Sequence, residues 1–374
     1  MSAQTNSMFS SNHFKLGIFS PNCSGGMAVT KVPERWVSSW ENNLKLAQLT
    51  DEAGLDFLLP IARWIGYGGE TDFHGSVLET ITWAAGLLAS TKNINVFATI
   101  HTAMNHPVSV AKQIATIDQI GNGRAGLNIV CGWNKPEYDA FGMELPNDHE
   151  TRYAYGQEWY DIIYKLWTEK EPFDWDGRFF KLKNVYSNPH PVNGRVPIIN
   201  AAGSEQGRAF ATKNANFLFT PALDLDKSKT EIAGLKEQGR ESGRDIDVLT
   251  FSYVVCRPTR KEAEEYHHYY SQEQADWKAV DNIIELMFAH AQSFPPDMLK
   301  MLRDRMAAGH GGFPLVGTPD DVADGLEQLA NTGFGGTTLA FVDYVKEFPY
   351  FRDEVLPRLE ARGVRQNFEM RQAS

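Results

Sequence analysis

The chain has 374 residues, 42% hydrophobic, 12% aromatic and 22% charged, a globular composition that excludes disorder, collagen and coiled coil. Lys and Arg number 36 against 47 Asp and Glu, for a net charge of -11, so the overall field repels nucleic acid and anionic lipid. At about 150 residues per domain, the length allows two domains or one large barrel of alternating strands and helices.

Residues 1–13 are polar and rich in Ser and Asn, without the apolar core of a signal peptide. They are expected to form a flexible leader ahead of a single domain over 14–374. Residues 14–19 are a short apolar run ended by Ser20, Pro21 and Asn22, the pattern of a buried strand entering a loop. Between 33 and 53, Trp36, Trp40, Leu44, Leu46, Ala47 and Leu49 recur at helical spacing until Gly54 stops them. Strand 56–61, helix 78–90 and strand 94–99 follow. Helix 107–120 opens on Pro107, tolerated in a first turn, and strand 125–130 is the fourth. The alternation resumes with helix 151–168, strand 197–201, helix 205–214, strand 216–220, helix 223–242, strand 248–255 and helix 260–274. A less regular segment, 282–311, precedes a helix at 320–331, a last strand at 336–341 and a closing helix at 348–362.

Eight strands, each followed by a helix and with no linker between them, fit an α/β fold of the closed (β/α)8 TIM-barrel type. A doubly wound sheet would want Gly-x-Gly-x-x-Gly after its first strand, and residues 21–26, Pro-Asn-Cys-Ser-Gly-Gly, are not that. Longer connections at 67–76, 173–192 and 287–312 are expected as loops on the functional face. No run of about 18 apolar residues occurs. Cys23, Cys131 and Cys256 lack the paired spacing of a disulfide framework, which reads as reduced thiols in a cytoplasm.

Chemistry in such a barrel sits at the C-terminal strand ends. Those ends carry Asn22, Ser24 and Gly25; Ala62, Arg63 and Trp64; Thr99, His101 and Thr102; Asn128, Cys131, Gly132 and Trp133; and Gly203 with Ser204. Ser204 opens a helix, where free N–H groups and a hydroxyl favour a phosphate; the alternative is a plain N-cap. Arg152, followed by Tyr153, could add a charge-assisted contact or begin a solvated helix. Asn128 lies in a buried strand and must satisfy both donors and its acceptor, through a ligand or through neighbouring loops. Thr99 carries the same ambiguity. His74, His101 and His106 lack metal-site spacing, so no metal is assigned. No Gly-x-Ser-x-Gly elbow is present, and Cys131, without a basic neighbour, reads as an inert core thiol.

Residues 116–118 (Thr-Ile-Asp), Gly123 and Arg124, then Asn128 through Asn134, Glu137 and Gly142, resemble the bacterial luciferase-like flavin monooxygenases, over nearly the whole chain. Residues 21–26 with Lys31 are similar to the dimethyl sulfone monooxygenase branch. Residues 66–73 and 97–99 resemble the pyrimidine monooxygenase branch. The resemblance implies a TIM barrel that uses reduced FMN from a separate NAD(P)H:flavin reductase, with O2 as co-substrate. It implies flavin contacts at Ala62, Arg63, Asn128 and Glu137, and phosphate-side contacts at Arg152, Tyr153 and Ser204. Thr99 and Asn128 match the pair that holds oxygen near flavin N5, where a flavin N5-peroxide would form.

Trp64, Trp133 and Tyr67 would supply apolar walls to a dry site. Arg63 stands where the pyrimidine branch has a lysine, and residues 100–106 differ from both branches. The implied reaction is oxidation of a small nitrogen- or sulfur-containing molecule with C–N or C–S cleavage, in a homodimer or homotetramer. Two alternatives share the barrel: a deazaflavin (F420)-dependent oxidoreductase, which would consume no oxygen, and a non-catalytic flavin-binding protein.

Overall fold

Strand β1 (Lys15–Phe19) is almost wholly buried, which is why its sequence is an unbroken apolar run rather than an alternation. In a computed structural model of the chain, which describes residues 6–288 and 296–368, it leads through α1 (Trp40–Glu52), β2 (Phe57–Leu59), α2 (Thr80–Ser90), β3 (Asn95–His101), α3 (Pro107–Ile120) and β4 (Ala125–Val130). Next come α4 (Lys135–Ala140), α5 (His149–Thr168), a hairpin of β5 (Phe173–Asp176) and β6 (Lys181–Val185), β7 (Ile198–Ala201), α6 (Glu205–Asn214) and β8 (Phe217–Phe219). The remainder holds α7 (Leu225–Glu241), β9 (Asp247–Cys256), α8 (Arg260–His268), α9 (Trp277–Phe288), α10 (Pro296–Gly309) and β10 (Phe313–Gly317). It ends with α11 (Pro319–Thr332), β11 (Gly336–Ala340), α12 (Tyr344–Glu354) and α13 (Leu356–Ala361).

Strands β1, β2, β3, β4, β7, β8, β9 and β11 pair in parallel in that order, and β11 returns to β1, closing the eight-stranded barrel that the alternation predicts. Three further strands were not expected. The β5–β6 hairpin is half exposed and antiparallel. Strand β10 is five residues long, contains Pro314 and follows Gly311 and Gly312, so it shows no alternation to read. It pairs with residues 252–256 of β9, above the part of that strand bonded to β8.

Other boundaries also differ from expectation. The helix expected from residue 33 starts at Trp40, capped by Ser39 accepting from the Asn42 N–H. The segment read as irregular takes in the second half of α9 and all of α10; residues 289–295 between them lie outside the described residues. The expected helix at 260–274 is α8 followed by a π turn (Tyr269–Glu273), and the closing helix divides into α12 and α13. The 173–192 connection runs down the barrel flank instead of over the mouth. Glu158 of α5 accepts from the N–H groups of Phe179 and Phe180, and Asp118 near the end of α3 accepts from Val192.

The lower barrel is filled by Phe57, Leu59, Phe97, Ile199, Phe217, Phe219 and Leu249. Gly126 makes room for them, since a Cβ there would lie 2.4 Å from the Phe97 ring. Residues 6–13, expected as part of a leader, are seated beneath this layer: Met8 packs into it, and Asn6 donates to the Gly123 carbonyl. The buried Arg365–Asp56 pair, at 2.6 Å, fastens the far end of the chain to the same floor. Among the described residues, no helix is long and apolar enough to cross a membrane, and all three cysteines are buried and free.

Candidate active site

Side chains two apart on a strand share a face, so Thr99 points into the barrel two residues above Phe97. Asn128 is its direct partner across the β3–β4 ladder. The Asn128 amide donates to Thr99 Oγ1 at 3.1 Å, and the Thr99 hydroxyl donates to the Pro60 carbonyl at 2.5 Å. Both residues are buried, and Asn128 Oδ1 has no partner. A cavity of about 60 Å³, room for about two waters, adjoins Thr99 and is lined in part by Ala62, Arg63 and His101.

Just past β2 and β4, Arg63 and Glu137 form a buried ion pair, Nη1 to Oε1 at 3.0 Å, and the same oxygen accepts from the Trp64 N–H at 2.9 Å. Glu137 belongs to the first turn of α4, where the local dipole favours an acid. Its second oxygen lies 3.9 Å from His101 Nδ1, and neither atom has a hydrogen-bond partner. Burial pushes His101 down to about 4, so the imidazole is neutral near pH 7. Arg63 Nε is likewise unpartnered, while the guanidinium lies 4.8 Å from the Tyr67 ring centre and 5.3 Å from that of Trp133. Trp64 is no inner wall: it is 48% exposed and packs on Phe141 at the rim.

A third group lies at the opening of α6. Ser204 is the N-cap, its hydroxyl accepting from the Gly207 N–H at 3.2 Å, and the Tyr153 hydroxyl lies close to the Ser204 side chain. Gly207 permits this approach, because a Cβ there would lie 2.3 Å from the Tyr153 oxygen. Arg152 Nη1 donates to the Pro146 carbonyl at 2.7 Å and Nη2 contacts His149 Nδ1 at 3.0 Å, while its Nε is buried without a partner. Cys131 lies buried below this region, its thiol pushed up to about 12 by burial, which leaves it inert.

A fourth group joins Tyr67, expected as an apolar wall, to residues that the sequence did not bring together. The 67–76 connection does lie over the barrel mouth, and it brings Tyr67, Phe73 and His74 against His310, which follows α10. His74 stacks on Phe73 at 4.0 Å between ring centres and lies 5.8 Å from His310; Tyr67 is 5.7 Å from His74 and 6.0 Å from His310. His74 Nδ1, His310 Nδ1 and Tyr67 Oη are buried without partners. No strand or helix period marks loop residues; the only signal was aromatic density among glycines, in residues 66–75. Among the described residues, no cluster of three or more His, Cys, Asp or Glu is placed to hold a metal.

Comparison with known proteins adds three findings. A model of the luciferase-like monooxygenase family matches residues 14–335. Pyrimidine monooxygenase RutA of Acinetobacter baylyi is 30% identical over 356 residues, covering 93% of this chain and 95% of that one. The fold is shared with riboflavin lyase RcaE, solved with modified FMN and riboflavin, at a TM-score of 0.85 and 21% identity, covering 95% of this chain and 93% of that one. It is also shared with DmoA from Hyphomicrobium sulfonivorans, at a TM-score of 0.83 and 19% identity, covering 94% and 89%.

Proposed function

The chain belongs to the luciferase-like monooxygenase family and is a flavin-dependent monooxygenase, and from that premise we propose its particular reaction. It takes reduced FMN from a separate NAD(P)H:flavin reductase and, with O2, oxidises a small nitrogen- or sulfur-containing molecule, cleaving a C–N or C–S bond. RutA, by name a pyrimidine monooxygenase, supports the choice of a small heteroatom-bearing substrate.

The residues present fit a flavin mononucleotide. Ser204 and Tyr153, at the positive end of α6, would hold its phosphate. Arg63, Glu137 and Asn128, with Ala62 beside them, would line its ring, whose polar edge supplies the partners that Arg63 Nε, Glu137 Oε2 and Asn128 Oδ1 lack. When bound, reduced flavin supplies the electrons for oxygen chemistry.

The single observation that carries the reading is the Asn128–Thr99 pair. Thr99 spends its only hydrogen on Pro60 and accepts one bond from Asn128, which leaves the second N–H of Asn128 as the donor of the pair free to orient an oxygen species. An amide donates a hydrogen bond without giving up a proton, so it steadies developing charge without discharging it.

Stopped-flow mixing of the protein and photoreduced FMN with oxygenated buffer, in the presence of small nitrogen and sulfur compounds, tests the proposal. The expected result is flavin reoxidation that differs from that of free FMN and responds to one of these compounds. Reoxidation identical to free FMN would overturn it. Tight deazaflavin binding without oxygen consumption would put the F420-dependent reading in its place.

A further inference from the structure

The fourth group at the barrel mouth is built rather than incidental. The Tyr67 N–H donates to the Phe73 carbonyl at 2.8 Å, and Asp276 accepts from both the N–H and the hydroxyl of Thr71, at 2.7 and 2.8 Å, pinning the loop to the start of α9. His74 holds a left-handed backbone, φ 58°, that few residues other than glycine adopt. Its ring is nonetheless fixed, with Nε2 2.6 Å from the Gly26 carbonyl.

That contact determines the tautomer. A carbonyl oxygen only accepts, so the hydrogen resides on Nε2, and a neutral imidazole then presents Nδ1 as a bare lone pair. Full burial, with His310 and the Arg63 cation nearby, holds the ring neutral. Nδ1 is therefore a buried acceptor with no donor. The neighbouring Tyr67 hydroxyl, kept protonated by burial, is a donor with no acceptor. Phe73 and His310 stand beside the two as flat walls.

We infer that His74 is a specificity-determining residue that accepts a hydrogen bond from a substrate N–H, with Tyr67 donating to an acceptor on the same molecule. The substrate is then a compact neutral compound carrying a donor and an acceptor side by side. A molecule whose polar atoms only accept, such as a sulfone, would set its oxygens against the Nδ1 lone pair. This rests on the proposed oxidation of a small nitrogen- or sulfur-containing molecule, and it chooses nitrogen over sulfur within that reading.

The test is calorimetric titration of the full-length protein, saturated with FMN, using three probes: 2-pyrrolidinone, N-methyl-2-pyrrolidinone and dimethyl sulfone. A buried acceptor left unpaired costs about tenfold or more in an equilibrium, so the lactam should bind at least about tenfold tighter than either of the others. His74→Phe keeps a ring against Phe73 but removes both nitrogens, and should abolish the preference. His74→Gln, with an amide N–H for Gly26 and an oxygen acceptor, should restore part of it.

Equal affinities in the wild type, a preference that survives His74→Phe, or no binding of any probe would each overturn the inference. The wild-type comparison decides even if a variant does not fold. Oxygen consumption with reduced FMN, measured on the same preparation, separates the two readings. Substrate-dependent consumption without a donor preference sinks the role of His74 alone, and a donor preference without flavin-dependent consumption sinks the proposed reaction alone.

Discussion

Asn128 donates to Thr99 across the β3–β4 seam, and Thr99 donates onward to the Pro60 carbonyl, so the two side chains form a one-way hydrogen-bond chain that ends on backbone. Its direction divides their work: Thr99 orients the amide, and Asn128 alone retains a hydrogen for the barrel interior.

Replacing Asn128 by Ala should therefore spare the fold and remove oxygenation. The variant loses one neutral hydrogen bond, about 1 kcal/mol, so its melting temperature should fall by no more than a few degrees. Oxygen incorporated into product per flavin oxidised should drop about 100-fold, the scale for losing a positioned donor. Wild-type coupling in this variant would take Asn128 out of the chemistry.

At the opposite end of the proposed ligand, Ser204→Ala combined with Tyr153→Phe should weaken FMN about tenfold or more while leaving riboflavin little changed, because only FMN carries the phosphate. Fluorescence titration of both ligands measures the ratio. Equal losses would show that neither hydroxyl meets the phosphate. Arg152→Ala should show less of this selectivity, since its two terminal nitrogens are turned to Pro146 and His149 and only Nε is left without a partner.

Glu137→Ala leaves Arg63 charged in a buried setting without its counter-ion. Breaking a buried pair from one side costs about 3–5 kcal/mol, and urea denaturation should show a loss of that order. A loss below about 1 kcal/mol would mean that water reaches Arg63 freely.

Acid should destabilise the protein through its buried histidines. Burial holds His101 down to about 4 and His310 to about 3, and lowers His74 as well. In the unfolded chain these rings take up protons near pH 6.5, whereas the folded chain takes none until far lower. Between these values the unfolded state binds more protons, so stability present above about pH 6.5 drains away as the pH falls toward 4. Each fully affected group contributes about 1.4 kcal/mol per pH unit. Thermal melts across this range should show the decline, and a flat profile would contradict the burial of these rings.

The barrel was legible because its strands are buried on both faces and each helix has an apolar stripe, so periodicity alone separates them. The placement of Thr99 and Asn128 on paired strands and of Ser204 at the opening of a helix was legible for a related reason: strand ends and helix starts can be located from sequence. Strand β10 was not, being short, proline-bearing and dependent on β9 for its existence. His74 and His310 escaped because they meet only in three dimensions, one from the loop after β2 and the other from the turn after α10. Arg152 shows the converse: its residue type suggested a phosphate contact, but its orientation is set by a backbone carbonyl six residues away, which no pattern announces.

Strand β9 is bonded along residues 247–249 to β8 and along residues 252–256 to β10. Amide exchange along this one strand therefore keeps two clocks. Protection near its start reports opening of the barrel itself, and protection over residues 254–256, beyond its pairing with β11, reports release of β10 and, through it, of the turn that carries His310. A ligand held by His74 and Tyr67 against the His310 ring should slow the second clock and leave the first untouched.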